Sequence, residues 1–350
     1  MKIVYLCKVW TCGQTCEHAP VGTRGSLATR HKMTTKMKIY TIIFFVLILI
    51  IGCTNNVEKR IKYGDFENDW ERDYVFGQVR SIKQYKANVI DFESGNIEEP
   101  IIEYKKNYTN FGKVIDHEIF DNFGKLIQLT KNEYNNKEQR VKSISENYLI
   151  PSKTIETAVY NEKGEQIIAN IVMDDTLNFK AMLDFDNHGN LVSQINNQNG
   201  DSTSMSFEYK YNDRGNILWK KQIEKSEFGT NEYINEFKYD QFGNLIELFF
   251  KSELSGDMKS IYEYDQKNRI KKVIQYKLGQ IENETLFDKY YNQILVKYYN
   301  EGTLNKEMKY EYVFDSNGNW VERKAFIKEN SNTAKKFILI FVETRKIEYY

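Results

Sequence analysis

Side chains able to do chemistry are few in this chain, and their spacing does not assemble them. Cysteine occurs at Cys7, Cys12, Cys16 and Cys53, and histidine at His18, His31, His117 and His188. Zinc sites favour two residues between paired cysteines, and the Cys7, Cys12, Cys16 and His18 spacings are of another kind, so no metal centre is read there. His188 falls in a turn whose other copies carry Arg214, Phe242 and Asn317 at the same place, a variable tip unsuited to a catalytic base. Asp174-Asp175 and the many turn aspartates lack the alternating oxygen ligands of a calcium loop. No nucleophile elbow, phosphate-cradling glycine loop or zinc-protease helix occurs. The expectation is a protein with no catalytic, cofactor-binding or metal residue, more a binder or scaffold than an enzyme.

Cys53 is the exception. Lys32, Lys36 and Lys38 precede an apolar run from Ile39 to Gly52, and the cysteine follows directly. Fourteen residues fall short of the about 20 that a spanning helix needs, and suit the apolar core of a secretory signal. Ile50-Ile51-Gly52-Cys53 resembles the lipobox of bacterial lipoproteins. The resemblance implies cleavage before Cys53 and lipidation of its thiol, a multi-chain anchor that binds membranes stably. Residues 37–52 are then the signal peptide, residues 53–60 the lipidated cysteine with a polar tether, and residues 1–36 an over-extended gene start or disordered leader. Removing residues 1–52 takes seven of the 49 Lys and Arg and one of the 49 Asp and Glu, leaving 42 against 48, a net charge of −6. A mildly acidic body excludes the basic stripe that nucleic acid requires. With Cys53 its only cysteine, the body has no disulfide and is held by packing.

The elements around these residues are set by a recurring turn. Phe185-Asp186-Asn187-His188-Gly189-Asn190-Leu191, Tyr211-Asn212-Asp213-Arg214-Gly215-Asn216-Ile217, Tyr239-Asp240-Gln241-Phe242-Gly243-Asn244-Leu245 and Phe314-Asp315-Ser316-Asn317-Gly318-Asn319-Trp320 are its clearest copies. Taking the aromatics as Tyr108, Tyr134, Tyr160, Phe185, Tyr211, Tyr239, Tyr264, Tyr291 and Phe314, the copies lie 23 to 28 residues apart, with Phe120 marking an extra hairpin. That length holds two strands and two short turns, and the flanks alternate with period two. Asp or Asn opens the turn by accepting backbone hydrogen bonds, and Gly supplies positive φ where the chain re-enters the sheet. In Tyr264-Asp265-Gln266-Lys267-Asn268-Arg269-Ile270 an Asn stands in for Gly, the residue that tolerates this conformation next best. Phe207, Tyr209 and Tyr211 leading in, and Ile217 and Trp219 leading out, read as one apolar face; Tyr262, Tyr264, Ile270, Ile274 and Tyr276 read likewise. Residues 65–76 read as a short amphipathic helix ended by Gly77 and capping the first strand.

The expected fold over residues 61–350 is all-β, repeated antiparallel hairpins forming an extended, twisted or curled meander sheet. Tyr239 to Leu245 resembles the tyrosine-aspartate (YD) repeat of the RHS class, and Trp320-Val321-Glu322-Arg323 with Thr344-Arg345-Lys346-Ile347-Glu348-Tyr349 is similar to repeat-bearing lipoproteins of the Bacteroidetes type. In large RHS proteins the resemblance implies a spiralling β shell around a toxin domain. The functional expectation is a lipid-anchored cell-envelope protein, at the outer membrane or cell surface, that binds a glycan, a cell-wall polymer or an envelope protein. A lipid-anchored polysaccharide-acting enzyme and a protective partner of a secreted toxin are the alternatives.

Overall fold

The computed structural model describes residues 69–350 except 93, 199, 228, 253–255 and 331–335. The signal segment, Cys53 and the tether lie outside these residues. A one-turn helix α1 (Asp69–Arg72) is followed by strands β1 (Val79–Asp91), β2 (Asn96–Ile97), β3 (Ile101–Tyr108), β4 (Val114–Phe120), β5 (Leu126–Tyr134) and sixteen more, ending in β21 (Ile338–Tyr349). Each strand from β3 onward pairs antiparallel with the next, and β1 pairs with β3 on one side and β21 on the other. The sheet therefore closes into an up-and-down barrel of 20 strands, with β2 a short flap on β1. This corrects the open meander: every hairpin obeys the expected rule, but the first and last strands also pair, from Val79↔Tyr349 to Asn88↔Phe341. Closure removes both exposed sheet edges.

The turns form as their residues dictate. In the copy at Tyr239, Asp240 Oδ1 accepts from the backbone N–H of Phe242 (2.9 Å) and Asn244 (2.8 Å), Gly243 N–H bonds Asp240 O, and Asp240 N–H bonds Asn244 O. Gly243 holds φ +83°, and Glu138, Asn268 and Tyr291 hold φ of about 60° at the matching place in other copies. Thr109 replaces Asp in the first copy and accepts the same two bonds. The aromatic of the eighth long-spaced unit is Phe287, not Tyr291: Asp288 is the turn acceptor, for Tyr290 and Asn292, and Tyr291 occupies the glycine position. The turns after Tyr108, Tyr134, Tyr160, Phe185, Tyr211, Tyr239, Tyr264, Phe287 and Phe314 line one rim, where β1 begins and β21 ends. The turn after Phe120 joins β4 to β5 at the opposite rim.

A bulge follows each of these turns, and it shifts which residues face inward. Tyr211 pairs with Ile217 but Lys210 pairs with Trp219, so one residue is extra. Ile217 is buried on the inner face, whereas Trp219 lies outside against Lys210. Likewise Ile270, Val273 and Gln275 are buried, and Ile274 falls on the other face. Simple alternation through the turn therefore misplaces Trp219, Ile274 and Tyr276, the last paired outside with Lys259. The capping helix ends earlier than expected: within the described residues α1 stops at Arg72, after which Tyr74 (φ 51°) and Gly77 (φ 81°) turn the chain into β1. Trp70 packs on the cluster of Val75, Val79, Ile82, Tyr108 and Val114, and its indole N–H donates to Val79 O at 2.8 Å.

Candidate functional site

Tyrosine in the repeat has a task that Phe cannot do. Tyr264 OH donates to Leu245 O at 2.7 Å, Tyr239 OH to Ile217 O at 2.9 Å, Tyr134 OH to Val114 O at 2.8 Å and Tyr160 OH to Arg140 O at 2.9 Å. Each accepting carbonyl lies beyond the last ladder pair between its hairpin and the next; the ladder from β14 (Leu245–Ser252) to β15 (Met258–Tyr264) begins only at Glu247↔Ile261. The bulge leaves that carbonyl without a ladder donor, and the tyrosine of the following unit supplies one. Where the motif aromatic is Phe314, Tyr312 two residues earlier on the same face reaches Gln293 O instead (2.8 Å); in the Tyr211 copy it is again the residue two earlier, Tyr209, that reaches Leu191 O (2.7 Å), while Tyr211 OH donates to Asp186 Oδ2 at 2.9 Å. Burial holds the Tyr209, Tyr239 and Tyr264 phenols well above their ordinary range.

The two faces of the wall differ in chemistry. Outward positions carry Lys and Glu pairs that bridge three strands: Glu247 holds Lys238 and Lys259, each at 2.8 Å, and Glu284 holds Lys272 at 3.3 Å and Lys297 at 3.1 Å. A barrel that faces lipid has an apolar outer band, the opposite pattern. Inward positions carry aromatics and aliphatics near the turn rim and amides and hydroxyls further along, including Gln194, Asn196, Asn235, Ser260, Gln275 and Asn283, all buried. The apolar clusters are separate patches on neighbouring strands, such as Leu245, Leu248, Tyr262, Ile270 and Val273 on three adjacent strands, or Val296, Met308, Tyr310 and Ala325 on another three. Many inward side chains, Tyr209, Tyr233, Phe237 and Tyr312 among them, are half-buried rather than buried. Barrels of 16 or more strands are too wide for side chains to fill, and the half-buried wall fits an interior with open space.

Charge enters this interior chiefly at the closing seam. Arg345 stacks 3.6 Å over the Trp320 ring, donates to Gln84 Oε1 (2.9 Å) and to Tyr104 OH (3.0 Å), and Gln84 in turn donates to Glu103 (2.8 Å). Arg323 pairs with buried Glu343, whose carboxyl is pushed up by burial against the pull of that arginine. These groups tie four consecutive strands where the barrel closes, so the seam is a polar lock. His117 faces inward, edge-on to Tyr104 at 5.8 Å, and burial with Lys106 nearby lowers its pKa to about 4. His188 stays at the turn tip, stacked on Tyr211 at 4.8 Å. Asp174 and Asp175 form a turn at the opposite rim, where Asp174 Oδ1 accepts from Lys153 N–H. Among the described residues no group of three or more His, Cys, Asp or Glu is placed to hold a metal ion.

One inner-wall residue escaped the sequence reading. Lys220, on β12 (Ile217–Ser226), sits between Phe207 and Tyr209 of β11 (Asp201–Tyr211), 4.8 and 5.9 Å from their ring centres. Only the bulge after Tyr211 decides that Lys220 and not Lys221 faces inward; Lys221 pairs outside with Glu232 at 2.9 Å.

No family model and no curated protein matches the chain. Among solved structures it is similar to a porin-like protein from Bacteroides uniformis ATCC 8492, at 12% identity and TM-score 0.32, over 78% of this chain and 99% of that one. It is also similar to the Photorhabdus luminescens Tc holotoxin pore (10% identity, TM-score 0.33, 69% of this chain and 15% of that). A third match is the TcdB2–TccC3 structure (10%, TM-score 0.22, 75% and 19%). Likenesses at these scores add nothing to the argument from the residues. The tyrosine-aspartate family membership suggested by the repeat has no matching family model behind it.

Proposed function

We propose that this chain is a cell-envelope protein, anchored by lipid on Cys53, whose barrel binds a glycan chain on its inner wall. The observation that carries the binding part is the inverted wall: charges outside, and aromatic rings interleaved with amides and hydroxyls inside, on side chains that are half-buried. Rings offer flat apolar faces and amides offer paired donors and acceptors, the combination that holds sugars in a concave site. The charged outer face favours a barrel that stands in water beside the membrane instead of spanning it. In this reading residues 1–36 are not part of the mature protein, residues 37–52 are the signal, and residues 53–60 tether the barrel.

The test has two arms. Cells given a radiolabelled fatty acid should label the wild-type chain and not Cys53→Ser, which should also leave the membrane fraction; equal labelling of both removes the anchor. The body from residue 54, which contains every strand of the closed barrel, should be retained on immobilised envelope polysaccharide, and Tyr233→Ala and Phe250→Ala, whose stacked rings lie 6.2 Å apart on the inner wall, should weaken retention. Unchanged retention of both variants rules out the inner wall as the binding surface.

A further inference from the structure

Most cations of the inner wall are paired with acids. Lys86 lies 3.9 Å from Glu103, Lys106 bonds Asp73 at 2.6 Å, and both Arg140 contacts to Glu156 are 3.1 Å. Arg323 bonds Glu343, and Arg345 is satisfied by Gln84 and Tyr104. Two lysines of this wall meet ring faces in place of an acid: Lys306 over Tyr298 (4.9 Å), and Lys220, which has two rings, Phe207 and Tyr209, around it. Directly across on β13 (Gly229–Tyr239) its pairing partner is Asn235, whose side chain shares the inner face and is 8% exposed. Lys220 itself is half-buried, so it borders open space inside the barrel. Desolvation with no acid nearby lowers its pKa to about 8. At neutral pH the ammonium is still charged, and a cation held in such a place without a counter-charge is costly.

We propose that Lys220, Asn235 and the ring of Tyr209 form a subsite for the carboxylate of an acidic saccharide. The ammonium supplies the charge-assisted hydrogen bond and the Asn235 amide supplies a second donor across the strand pair, while Tyr209, its hydroxyl committed to Leu191 O and its ring stacked on Tyr211 at 6.0 Å, forms the fixed wall beside the ammonium. Phe207, on the strand opposite Asn235, presents its ring 4.8 Å from the ammonium. This assignment rests on the reading of the interior as a glycan site and narrows it to acidic glycans.

The experiment measures binding of the body from residue 54 to a trigalacturonate and a sialyllactose, with the methyl-esterified trigalacturonate and lactose as their neutral counterparts. Wild type should bind at least one acid probe roughly tenfold or more tighter than its neutral counterpart. Lys220→Met, which keeps an unbranched apolar stem beside the two rings and removes the charge, should lose that discrimination, and Lys220→Arg should retain it. If every acid probe that wild type prefers over its neutral counterpart binds Lys220→Met just as tightly, the subsite is overturned. Equal binding of acid and neutral probes to wild type and Lys220→Met also refutes the subsite but leaves the interior glycan site standing. Failure of all four probes refutes both.

Discussion

Replacing Tyr264 with Phe removes one oxygen atom and tests whether neighbouring hairpins are stapled at the rim. The hydroxyl donates to Leu245 O at 2.7 Å, and that carbonyl lies outside the β14–β15 ladder. A neutral hydrogen bond contributes about 0.5–1.5 kcal/mol net, and a partly buried acceptor left without a donor costs about 1–3 kcal/mol. Tyr264 is half-buried, so water replaces the donor in part, and about 1–2 kcal/mol is expected. Unfolding entropy of about 2.1 cal/mol/K per residue, over the roughly 280 residues of the barrel, converts this to a fall in Tm of about 2–3 °C. Tyr148→Phe serves as the control, because its hydroxyl meets Glu146 on an exposed loop and should move Tm by a few tenths of a degree. Thermal unfolding of the three proteins side by side decides it. If Tyr264→Phe is no more sensitive than Tyr148→Phe, the staple contributes nothing and the preference for tyrosine needs another cause.

Gly243→Val puts a β-branched side chain at φ +83°; the nearest atom to the new Cβ is Asn216 Nδ2 at 3.8 Å, so backbone strain alone should cost about 1–3 kcal/mol in chemical denaturation. His117 has a folded-state pKa near 4, below its value of 6.5 in the open chain, so the unfolded state binds more protons between these values. The His117 contribution should be complete above pH 6.5 and fall as pH drops toward 4, by on the order of 3 kcal/mol, and His117→Gln should flatten that slope. Lys220→Met removes a desolvated charge and should raise stability at pH 7 by about 1–3 kcal/mol, a site where binding would be kept at the expense of stability; a loss of stability would show the ammonium to be well paired.

Local chemistry made the turns legible, because Asp or Asn, Gly and the aromatic each have a reason confined to seven residues. Where two aromatics adjoin, as at Tyr290 and Tyr291, the repeat could be entered at the wrong residue; Asp288 after Phe287 was the signal that fixes it. Inner and outer faces were legible before each turn and not after it, since the bulge adds one residue and reverses the parity that placed Trp219, Ile274 and Tyr276. Closure was hidden for a different reason. β1 and β21 follow the same pattern as every other strand, and nothing in a pattern of period two says that residue 82 will pair with residue 347. The polar lock of Arg345, Gln84, Tyr104 and Glu103 is equally long-range, joining positions up to 261 residues apart. Lys220 is one lysine among many until the bulge turns it inward.

The central claim is that the repeats close on themselves around an interior, and the seam tests it. Lys83 and Lys346 are direct partners across β1 and β21, and the chain after Cys53 has no cysteine. Cα atoms of such pairs fall within the separation a disulfide requires, about 4.4–6.8 Å. In the body from residue 54, Lys83→Cys with Lys346→Cys should oxidise to an intramolecular disulfide in nearly every molecule at high dilution. A pair that stays reduced, or links only between molecules, would mean an open sheet with no interior.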